Sequence, residues 1–322
     1  DGTITVNGGV NMIVNGKAIA SDKGTVNVNM NADLNGAADN TVILQGDVTA
    51  SNGTVNLGLN TGASKLTGAV SGNVNLYLAN GASWDNTGAA SSVAKLAGGA
   101  SKAGNIFANS TNAMTIDNYS GNTNIFYAHT GNGEAASDYA AGDTIIRSAA
   151  EGSVVSMITD NTGISMDSED SVANVLNALA GKLTYSSFVT GEKNLTGYVK
   201  IADGLTASSA ALKTGNIAFN TEDGKGSLNK EDIKPEPPTP PTPTYPEDQK
   251  ADKFNQGITG SDEKYKEEGV LKEDGSYVFT KNPTSIEVES GAAVEATDKD
   301  INIDTTKAKL ELKGETGIHA NG

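Results

Sequence analysis

The chain has 322 residues, of which 37 % are hydrophobic and only 5 % aromatic, and its net charge at pH 7 is −16. It contains no cysteine, which excludes disulfides, cysteine-based zinc sites and a cysteine nucleophile. The acidic balance and a single arginine, Arg147, argue against nucleic acid and anionic membranes as partners. So small an apolar fraction suits stacked repeats, each of which buries a thin face against its neighbours.

The first 166 residues predict strands separated by turns. One phrase recurs, as GTVNVNM from Gly24, NTVILQG from Asn40, GTVNLGLN from Gly53 and GNVNLYLANG from Gly72. Each copy is a turn signal followed by alternating apolar and polar residues, which is typical of a half-buried strand. None of these strands is predicted to be long. The apolar residues that mark them are Ile4, Val6, Ile13, Val14, Val26, Val28, Val42, Leu44, Val55, Leu57, Val74, Leu76, Ile106, Ile116, Ile125, Ile145, Ile146, Val154 and Val155.

The spacing of these strands fits two architectures, an all-β sandwich and a parallel β-helix. Short strands and recycled turn phrases (SNG, NTG, SGN) favour the β-helix, because stacked corners require near-equivalent turns. Asparagines recur at corresponding places in the repeats. They are therefore expected to form side-chain amide ladders down the stack, in which each amide pairs with the next.

Residues 167–183 predict an amphipathic α-helix. Asp167 is the expected N-cap, acidic residues fill the first turn, and Gly181 with Lys182 suits the end. We expect the helix to pack on the flank of the stacked strands or to cap them, with its apolar face inside the core. That face comprises Val172, Val175, Leu176, Leu179 and Leu183.

Strand patterns resume over residues 184–229, in TYSSFVTG, LTGYVKIADGL and LKTGNIAFN, and these strands are expected to pack on or extend the β-helix.

Residues 230–250 hold seven of the eight prolines and predict a stiff acidic polyproline II linker that cannot join a ladder. Residues 251–322 are rich in Lys and Glu and contain a predicted hairpin turn at Asp274–Gly275. After Pro283 the alternating pattern returns, which predicts the start of a second β-helical stretch.

The phrases between residues 64 and 162 follow a specific order. A strand around Trp84 precedes a rung with Thr-Gly, Ser-Val and Leu. A strand pair around the YSG phrase comes next, followed by a strand after Gly142–Asp143 and a small-residue turn at Glu151–Gly152. This order resembles the C-terminal part of the pertactin-like passenger domains of bacterial autotransporters.

The resemblance implies an all-β fold, a right-handed parallel β-helix with one amphipathic helix insertion and a proline-rich linker. Residues 1–166 would form the passenger core, 167–183 the helix, 184–229 further strands, 230–250 the linker and 251–322 the start of a second stretch. It also implies type V secretion to the surface of a Gram-negative bacterium, or release from it, with a membrane barrel expected outside this sequence. The expected function is that of a non-enzymatic adhesin or host-interaction scaffold, which contacts a host surface protein or glycan over a distributed surface and self-associates.

Two alternatives are a β-helical carbohydrate-active enzyme and a purely structural stalk. A polysaccharide lyase needs a basic cluster, whereas Arg147 stands alone and the lysines are scattered. A glycosidase needs paired carboxylates that face one groove. Glu169–Asp170 and Glu222–Asp223 are adjacent pairs, but a helix start and a turn explain them better. A serine protease needs a nucleophile motif that the chain lacks, and His129 and His319 are isolated.

No catalytic, cofactor-binding or metal-binding residue is predicted. Calcium-binding nonapeptide repeats are absent from the sequence, and the acidic stretch Asp33–Asp39 is expected to form plain turns. The aromatic residues of the middle region are expected to be structural. They are Trp84, Tyr119, Phe126, Tyr127 and Tyr139.

Overall fold

The computed structural model describes residues 2–229 and, beyond them, the segments 234–235, 270–273, 276–279, 284–287, 292–297, 302–304, 310–313 and 316–321. The chain divides into two compact units, Asp1–Pro237 (unit 1) and Pro238–Gly322 (unit 2), which are described separately. Strands account for 54 % of the structure, and the predicted all-β class is confirmed.

Unit 1 contains one α-helix, α1 (Glu169–Ala180), and two short 3-10 helices (Ala136–Asp138 and Ser186–Thr190) among its described residues. Its strands are β1 (Thr3–Val6), β2 (Val10–Ser21), β3 (Thr25–Val28), β4 (Val42–Leu59), β5 (Lys65–Thr67), β6 (Val70–Leu78), β7 (Ser83–Asn86), β8 (Ser91–Gly98), β9 (Gly104–Ala108), β10 (Met114–Ser120), β11 (Asn122–Phe126), β12 (Thr144–Ala149), β13 (Ser153–Asp160), β14 (Leu183–Tyr185), β15 (Leu195–Ala202), β16 (Ala211–Phe219), β17 (Gly226–Leu228) and β18 (Lys234–Pro235).

The strands from β1 to β15 pair in parallel, as the recycled turns predict. Three ladders run side by side through unit 1. The first joins β1, β3, β4, β6, β8, β10 and β12. The second joins β2, β4, β5, β7, β9, β11, β13 and β15, and the third joins β2, β4, β6, β8, β10, β12 and β14. A stretch of the chain that adds one strand segment to each of the three ladders in turn is called a tier.

The core of unit 1 lies between the ladders and consists of columns of apolar residues in register. In the second ladder, Leu44 pairs with Leu66, Leu66 with Trp84, and Trp84 with Ile106. All four side chains are fully buried or nearly so. Each strand contributes one or two inward residues to such columns, which explains how a chain with few apolar residues still builds a continuous core.

Two strands are longer than predicted, since β2 has 12 residues and β4 has 18. The prediction that no strand is long is therefore wrong. The register shifts between Ile13 and Lys17 in β2, and between Ala50 and Val55 in β4. Such irregularities let a strand bend while it keeps its pairing, so the chain turns a corner without leaving the sheet.

The predicted helix exists but is shorter than 167–183. The side chain of Ser168 accepts a hydrogen bond from the backbone N–H of Ser171, so Ser168 is the N-cap and the prediction of Asp167 is wrong. Gly181 is the C-cap, as expected. Leu183 lies beyond the helix, in β14, although it continues the apolar spacing.

Helix α1 covers the end of the parallel ladders. It buries Val172, Val175, Leu176 and Leu179 and contacts β13, β15, β16 and β17. Beyond β15 the pairing becomes antiparallel, from β15 to β16 and from β16 to β17. The helix and these two strands thus close the apolar cross-section of the stack at this end.

Two other segments differ from prediction. Ser186–Thr190, within the TYSSFVTG pattern, forms a 3-10 helix and not a strand. Its end at Gly191, with φ of 94°, turns the chain out of the extended path. In the predicted linker, Lys234–Pro235 pairs with Lys213 and Thr214 of β16, so the prediction that residues 230–250 cannot join a ladder is wrong at this point. The other residues of that linker lie outside the described part of the chain.

Unit 2 repeats the parallel arrangement on a smaller scale. Its described strands are β19 (Val270–Glu273), β20 (Ser276–Phe279), β21 (Thr284–Glu287), β22 (Ala292–Thr297), β23 (Asn302–Asp304), β24 (Leu310–Lys313) and β25 (Thr316–Asn321). Strand pairs β20–β23, β21–β24 and β22–β25 are all parallel. The β19–β20 pair is antiparallel with Glu273 opposite Ser276, which confirms the predicted hairpin, although Asp274 and Gly275 themselves lie outside the described residues.

Candidate functional site: an outward polar column and its groove

A ladder of side-chain amides runs across the outer face of the first ladder of strands. Thr5, Asn27, Asn56 and Asn75 lie in register on four successive strands. Asn27 Nδ2 donates to Thr5 Oγ1 at 3.3 Å, Asn56 Nδ2 to Asn27 Oδ1 at 2.8 Å, and Asn75 Nδ2 to Asn56 Oδ1 at 2.8 Å. We call these four residues the asparagine ladder. They confirm the predicted amide ladders.

The asparagine ladder faces outward because strand residues alternate between the two faces of the sheet. Val55 and Leu57, on either side of Asn56, are completely buried in the core. Neighbouring strands lie about 4.8 Å apart, which is the distance over which one amide can reach the next. Each internal amide thus donates to one neighbour and accepts from the other.

Shorter polar ladders occur elsewhere on unit 1. Asn60 Nδ2 donates to Asp39 Oδ1 at 2.6 Å, and Asn80 Nδ2 donates to Asn60 Oδ1 at 3.0 Å. Asn124 Nδ2 donates to Asn105 Oδ1 at 3.1 Å. Asp39 therefore serves as the terminal acceptor of a ladder. Residues 33–36 form turns and bends, as predicted, and Ala37 forms an isolated antiparallel bridge with Met30.

A groove continues the line of the asparagine ladder on the next three strands. Lys95 pairs in register with Asn75, Asn118 with Lys95, and Ser148 with Asn118. The groove has a volume of about 400 Å³. Its lining residues are Lys95, Asn118, Tyr119, Ser120, Ser148, Ala149 and Ala150.

Lys95 supplies the positive charge of the groove. Its Nζ lies 5.1 Å from the centre of the Tyr77 ring, which is a cation–π arrangement. Within the described residues the two salt bridges are Arg147–Asp117 and Lys182–Asp143, and neither involves Lys95. Its ammonium group thus remains able to donate to an incoming ligand.

Glu192 holds the far side of the groove in place. Its carboxylate accepts hydrogen bonds from Ala149 N at 2.7 Å, Tyr185 Oη at 2.5 Å and Ser148 Oγ at 3.1 Å. These hydrogen bonds, the one from Ala149 foremost, lower the pKa of Glu192 below its ordinary value. Glu192 lies in the loop before β15, so it ties that loop to the end of β12, where Ser148 and Ala149 line the groove.

The aromatic residues singled out in the sequence are structural. Trp84 is completely buried, and its Nε1 donates to the carbonyl of Gly68 at 2.9 Å. Tyr119 is buried beside the groove and donates to the carbonyl of Val154 at 2.5 Å. Burial raises the pKa of this phenol well above its ordinary value, so it acts as a fixed donor. The others, Phe126, Tyr127 and Tyr139, are also buried.

The charged residues considered for catalysis do not converge on the groove. Arg147 forms an exposed ion pair with Asp117 at 3.0 Å. Glu169 and Asp170 occupy the first turn of α1, and Glu222 and Asp223 lie in a turn, as predicted. The ring of His129 bonds to Thr159 Oγ1 at 2.8 Å and to the carbonyl of Thr162 at 2.9 Å. His319 belongs to β25 of unit 2.

The described residues contain no group of three or more His, Cys, Asp and Glu placed to hold a metal ion. In the same part of the chain, no helix has the length and apolar character that crossing a membrane would need. Sequence reasoning anticipated the amide ladders but not the groove. Lys95, Asn118 and Ser148 come from three separate strands, and the register shift between Gly72 and Asn75 that aligns them has no sequence signal.

The fold and the surface together define a class of protein: a strand-rich, mostly parallel scaffold with an outward polar column that ends in a shallow groove. Comparisons of the chain with protein-family models, with curated proteins and with solved structures find no match.

Proposed function

We propose that unit 1 is a right-handed parallel β-helix from a pertactin-like autotransporter passenger, and that it acts as an adhesin on the surface of a Gram-negative bacterium. The order of phrases between residues 64 and 162 supports this family. The three parallel ladders and the buried Trp84 column are the arrangement that such a passenger core would need.

One observation carries the adhesive role, and that is the continuity of the polar column. The asparagine ladder and the groove residues Lys95, Asn118 and Ser148 form one line over consecutive strands of the first ladder. Asn27 is buried, but from Asn56 to Ser148 this line presents amide, hydroxyl and ammonium groups side by side. A partner could therefore be held by many weak contacts, and hydroxyl-rich glycans on a host cell suit such donors and acceptors best.

Binding to host cells tests the adhesive role directly. Fluorescently labelled chain is incubated with cultured epithelial cells, and bound label is measured by flow cytometry. We expect Lys95→Glu to weaken binding, because Lys95 is the only charged residue that lines the groove within the described part of the chain. Lys65→Glu, the same change at an exposed lysine of β5 outside the groove, should leave binding unaltered.

The outcomes separate the alternatives. Equal binding of both variants, or no binding by the native chain, would contradict an adhesive surface at the groove. Loss of binding after enzymatic removal of cell-surface glycans supports a glycan partner, whereas loss only after protease treatment points to a host protein. Breakdown of the glycan by the chain itself would replace the adhesin with a carbohydrate-active enzyme.

The proposed export has its own test. An antibody raised against unit 1 should label intact cells of the producing bacterium without permeabilisation. Labelling that requires permeabilisation would contradict a surface location, whatever the binding assay shows.

A further inference from the structure

The groove beside the asparagine ladder carries one positive charge and, among the described residues that line it, no negative one. Lys95 supplies that charge. Asp117 and Arg147, the charged neighbours of two other lining residues, form an ion pair with each other at 3.0 Å. The groove therefore offers a ligand a single ammonium group.

Glu192, which holds the far side of the groove, is not among its lining residues. Its lowered pKa means that it is ionised at neutral pH, and an ionised carboxylate can only accept hydrogen bonds. The hydroxyl proton of Ser148 is therefore directed at Glu192, to whose two carboxylate oxygens it donates at 3.1 Å. The oxygen of Ser148 is left as an acceptor, which suits a ligand that brings its own hydroxyl protons.

Two further polar side chains of the groove have capacity to spare. Asn118 and Ser120 lie on the outward face of β10, because the buried Tyr119 between them points inward. The amide nitrogen of Asn118 donates to the carbonyl of Ala94 at 3.0 Å. The amide oxygen of Asn118 and the hydroxyl of Ser120 have no hydrogen-bond partner within residues 2–229. Both can therefore bond to hydroxyl groups of a ligand.

The ammonium group of Lys95 is held in position before any ligand arrives. Its Nζ lies 5.1 Å from the centre of the Tyr77 ring, and that ring is itself largely buried. The stem of Lys95 is half-buried on the sheet. A side chain that is already placed loses less conformational freedom on binding, so more of the electrostatic attraction is available to the ligand.

The dimensions of the groove fit a small part of a glycan. Lys95, Asn118 and Ser148 lie in register on three adjacent strands, so about 10 Å separates the first of them from the last. The volume of about 400 Å³ is near the lower end of the range for small-ligand sites, which is about 300–1,000 Å³. A terminal sugar with its neighbour fits this space better than a long chain does.

Charge distinguishes the classes of sugar. A neutral sugar over Lys95 would remove water from the ammonium group without supplying a counter-charge, which costs free energy. A polyanion would meet only one lysine in the groove, on a chain whose net charge is −16. A sugar with one negative group satisfies Lys95, and charges farther away than about 8 Å are largely screened at physiological ionic strength.

We propose that the groove binds an acidic sugar unit, one that carries a single carboxylate or sulfate group. The negative group pairs with the ammonium of Lys95, and hydroxyls of the sugar bond to Asn118, Ser120 and Ser148. This inference rests on the adhesin function proposed above and names the class of glycan that the adhesin takes.

Isothermal titration calorimetry with the full chain and four defined sugars tests the proposal. Sialyllactose carries a carboxylate, and its methyl ester has nearly the same shape without the charge. Sulfated lactose carries a sulfate, and lactose is its neutral counterpart. We expect an acidic sugar to bind at least about tenfold more tightly than its uncharged counterpart, because a charge-assisted contact is lost in the latter. Added salt should weaken binding of the acidic sugar and leave the neutral one unchanged.

Lys95→Met keeps the length of the side chain but removes its charge, and should abolish the preference for the acidic sugar. Lys65→Met is the matched control, because Lys65 is exposed on β5 outside the groove, and should retain the preference. Circular dichroism and the fluorescence of buried Trp84 show whether each variant is folded. The comparison of charged and uncharged sugars needs the native chain alone, so it stands even where a variant does not fold.

Preference for sialyllactose identifies a carboxylate as the recognised group, and preference for sulfated lactose identifies a sulfate. If neither acidic sugar binds more tightly than its uncharged counterpart, the proposal is overturned. Loss of the preference in Lys65→Met as well as in Lys95→Met would overturn the assignment to the groove. A chain that binds host cells but ignores the charge of the sugar contradicts this inference alone, whereas a chain that prefers acidic sugars but binds no cells contradicts the adhesin function alone.

Discussion

Asn56 donates a hydrogen bond of 2.8 Å to Asn27 across two parallel strands, although 29 residues separate them in the sequence. Asn56 also accepts a bond of 2.8 Å from Asn75 on its other side. The side chain therefore joins three tiers of the stack. A polar residue on the outer face thus helps to fix the register that aligns the apolar columns inside.

Replacement of Asn56 by alanine should destabilise unit 1 more than a surface change usually does. It removes two hydrogen bonds and leaves Asn27 and Asn75 without their ladder partner. Since Asn56 itself is only half-buried and water can replace part of the loss, we expect a decrease in unfolding free energy of about 1–2 kcal/mol. Chemical denaturation, followed through Trp84 fluorescence, measures it. Asn15→Ala, at an exposed β2 position outside the ladder, should change stability by less than about 0.5 kcal/mol.

Trp84 offers a second test, because it fills the centre of the inner column and also bonds to the carbonyl of Gly68. Trp84→Ala should cost about 3–5 kcal/mol through the cavity it leaves between Leu66 and Ile106. Trp84→Phe keeps most of the volume but leaves the Gly68 carbonyl unpaired, and should cost about 1–3 kcal/mol. Thermal unfolding followed by circular dichroism ranks the variants. Equal losses in both would mean that the hydrogen bond, and not the filled volume, dominates.

The sequence predicted those features that depend on local pattern. Alternation predicts the strands around Val26, Val55 and Val74, and the recurrence of asparagine at corresponding places in the repeats predicts the ladders. The apolar spacing predicts the helix, but it does not fix its first residue, because Asp167 and Ser168 are both good caps. Only the contact between Ser168 and the Ser171 N–H distinguishes them.

Features that depend on long-range register could not be predicted. The groove requires Lys95, Asn118 and Ser148 to lie side by side, and irregular turns of different length separate these residues along the chain. The length of β2 and β4 is not predictable from the sequence, because a strand that bends without a loop has no turn signal of its own. The pairing of Lys213 with Pro235 is not predictable for another reason. Proline has no N–H to donate to a ladder, so it is usually found outside strands and pairs only at the edge of a sheet.

Gly72 and Gly88 separate two costs of replacing a glycine by alanine, the strain of a positive φ and the overlap of the new Cβ with a neighbouring strand. Gly72 has φ of +88° and Gly88 has φ of +82°, so alanine is strained at both. A Cβ at Gly72 would overlap the carbonyl oxygen of Ala50 in the paired strand, whereas a Cβ at Gly88 would meet nothing within 4 Å. Gly88→Ala should therefore cost about 1–2 kcal/mol from conformation alone.

Gly72→Ala should cost clearly more than Gly88→Ala, because the Ala50 carbonyl must also move and the ladder between β4 and β6 with it. Hydrogen exchange on β4 and β6 should increase in this variant and not in the Gly88 variant. Similar stability of the two proteins would show that the β4–β6 contact yields more easily than the close packing implies.

The carboxylate of Glu192 predicts a dependence of stability on pH. Its pKa is lowered in the folded protein, chiefly by the hydrogen bond from the Ala149 N–H. A depressed pKa means that the ionised group stabilises the fold above its unfolded pKa, and that this contribution disappears as the pH falls through the folded value. Glu192→Gln should therefore be less stable than the native chain at pH 7, and the difference should shrink as the solution is acidified. Unfolding free energies from denaturant titrations between neutral and acidic pH measure this convergence.

Glu151→Gln, at an exposed turn without such bonds, provides the control, and its unfolding free energy should change with pH in parallel with that of the native chain. If Glu192→Gln also runs parallel, the carboxylate contributes through its shape and not its charge, and Ser148 and Ala149 at the groove are held by the loop alone.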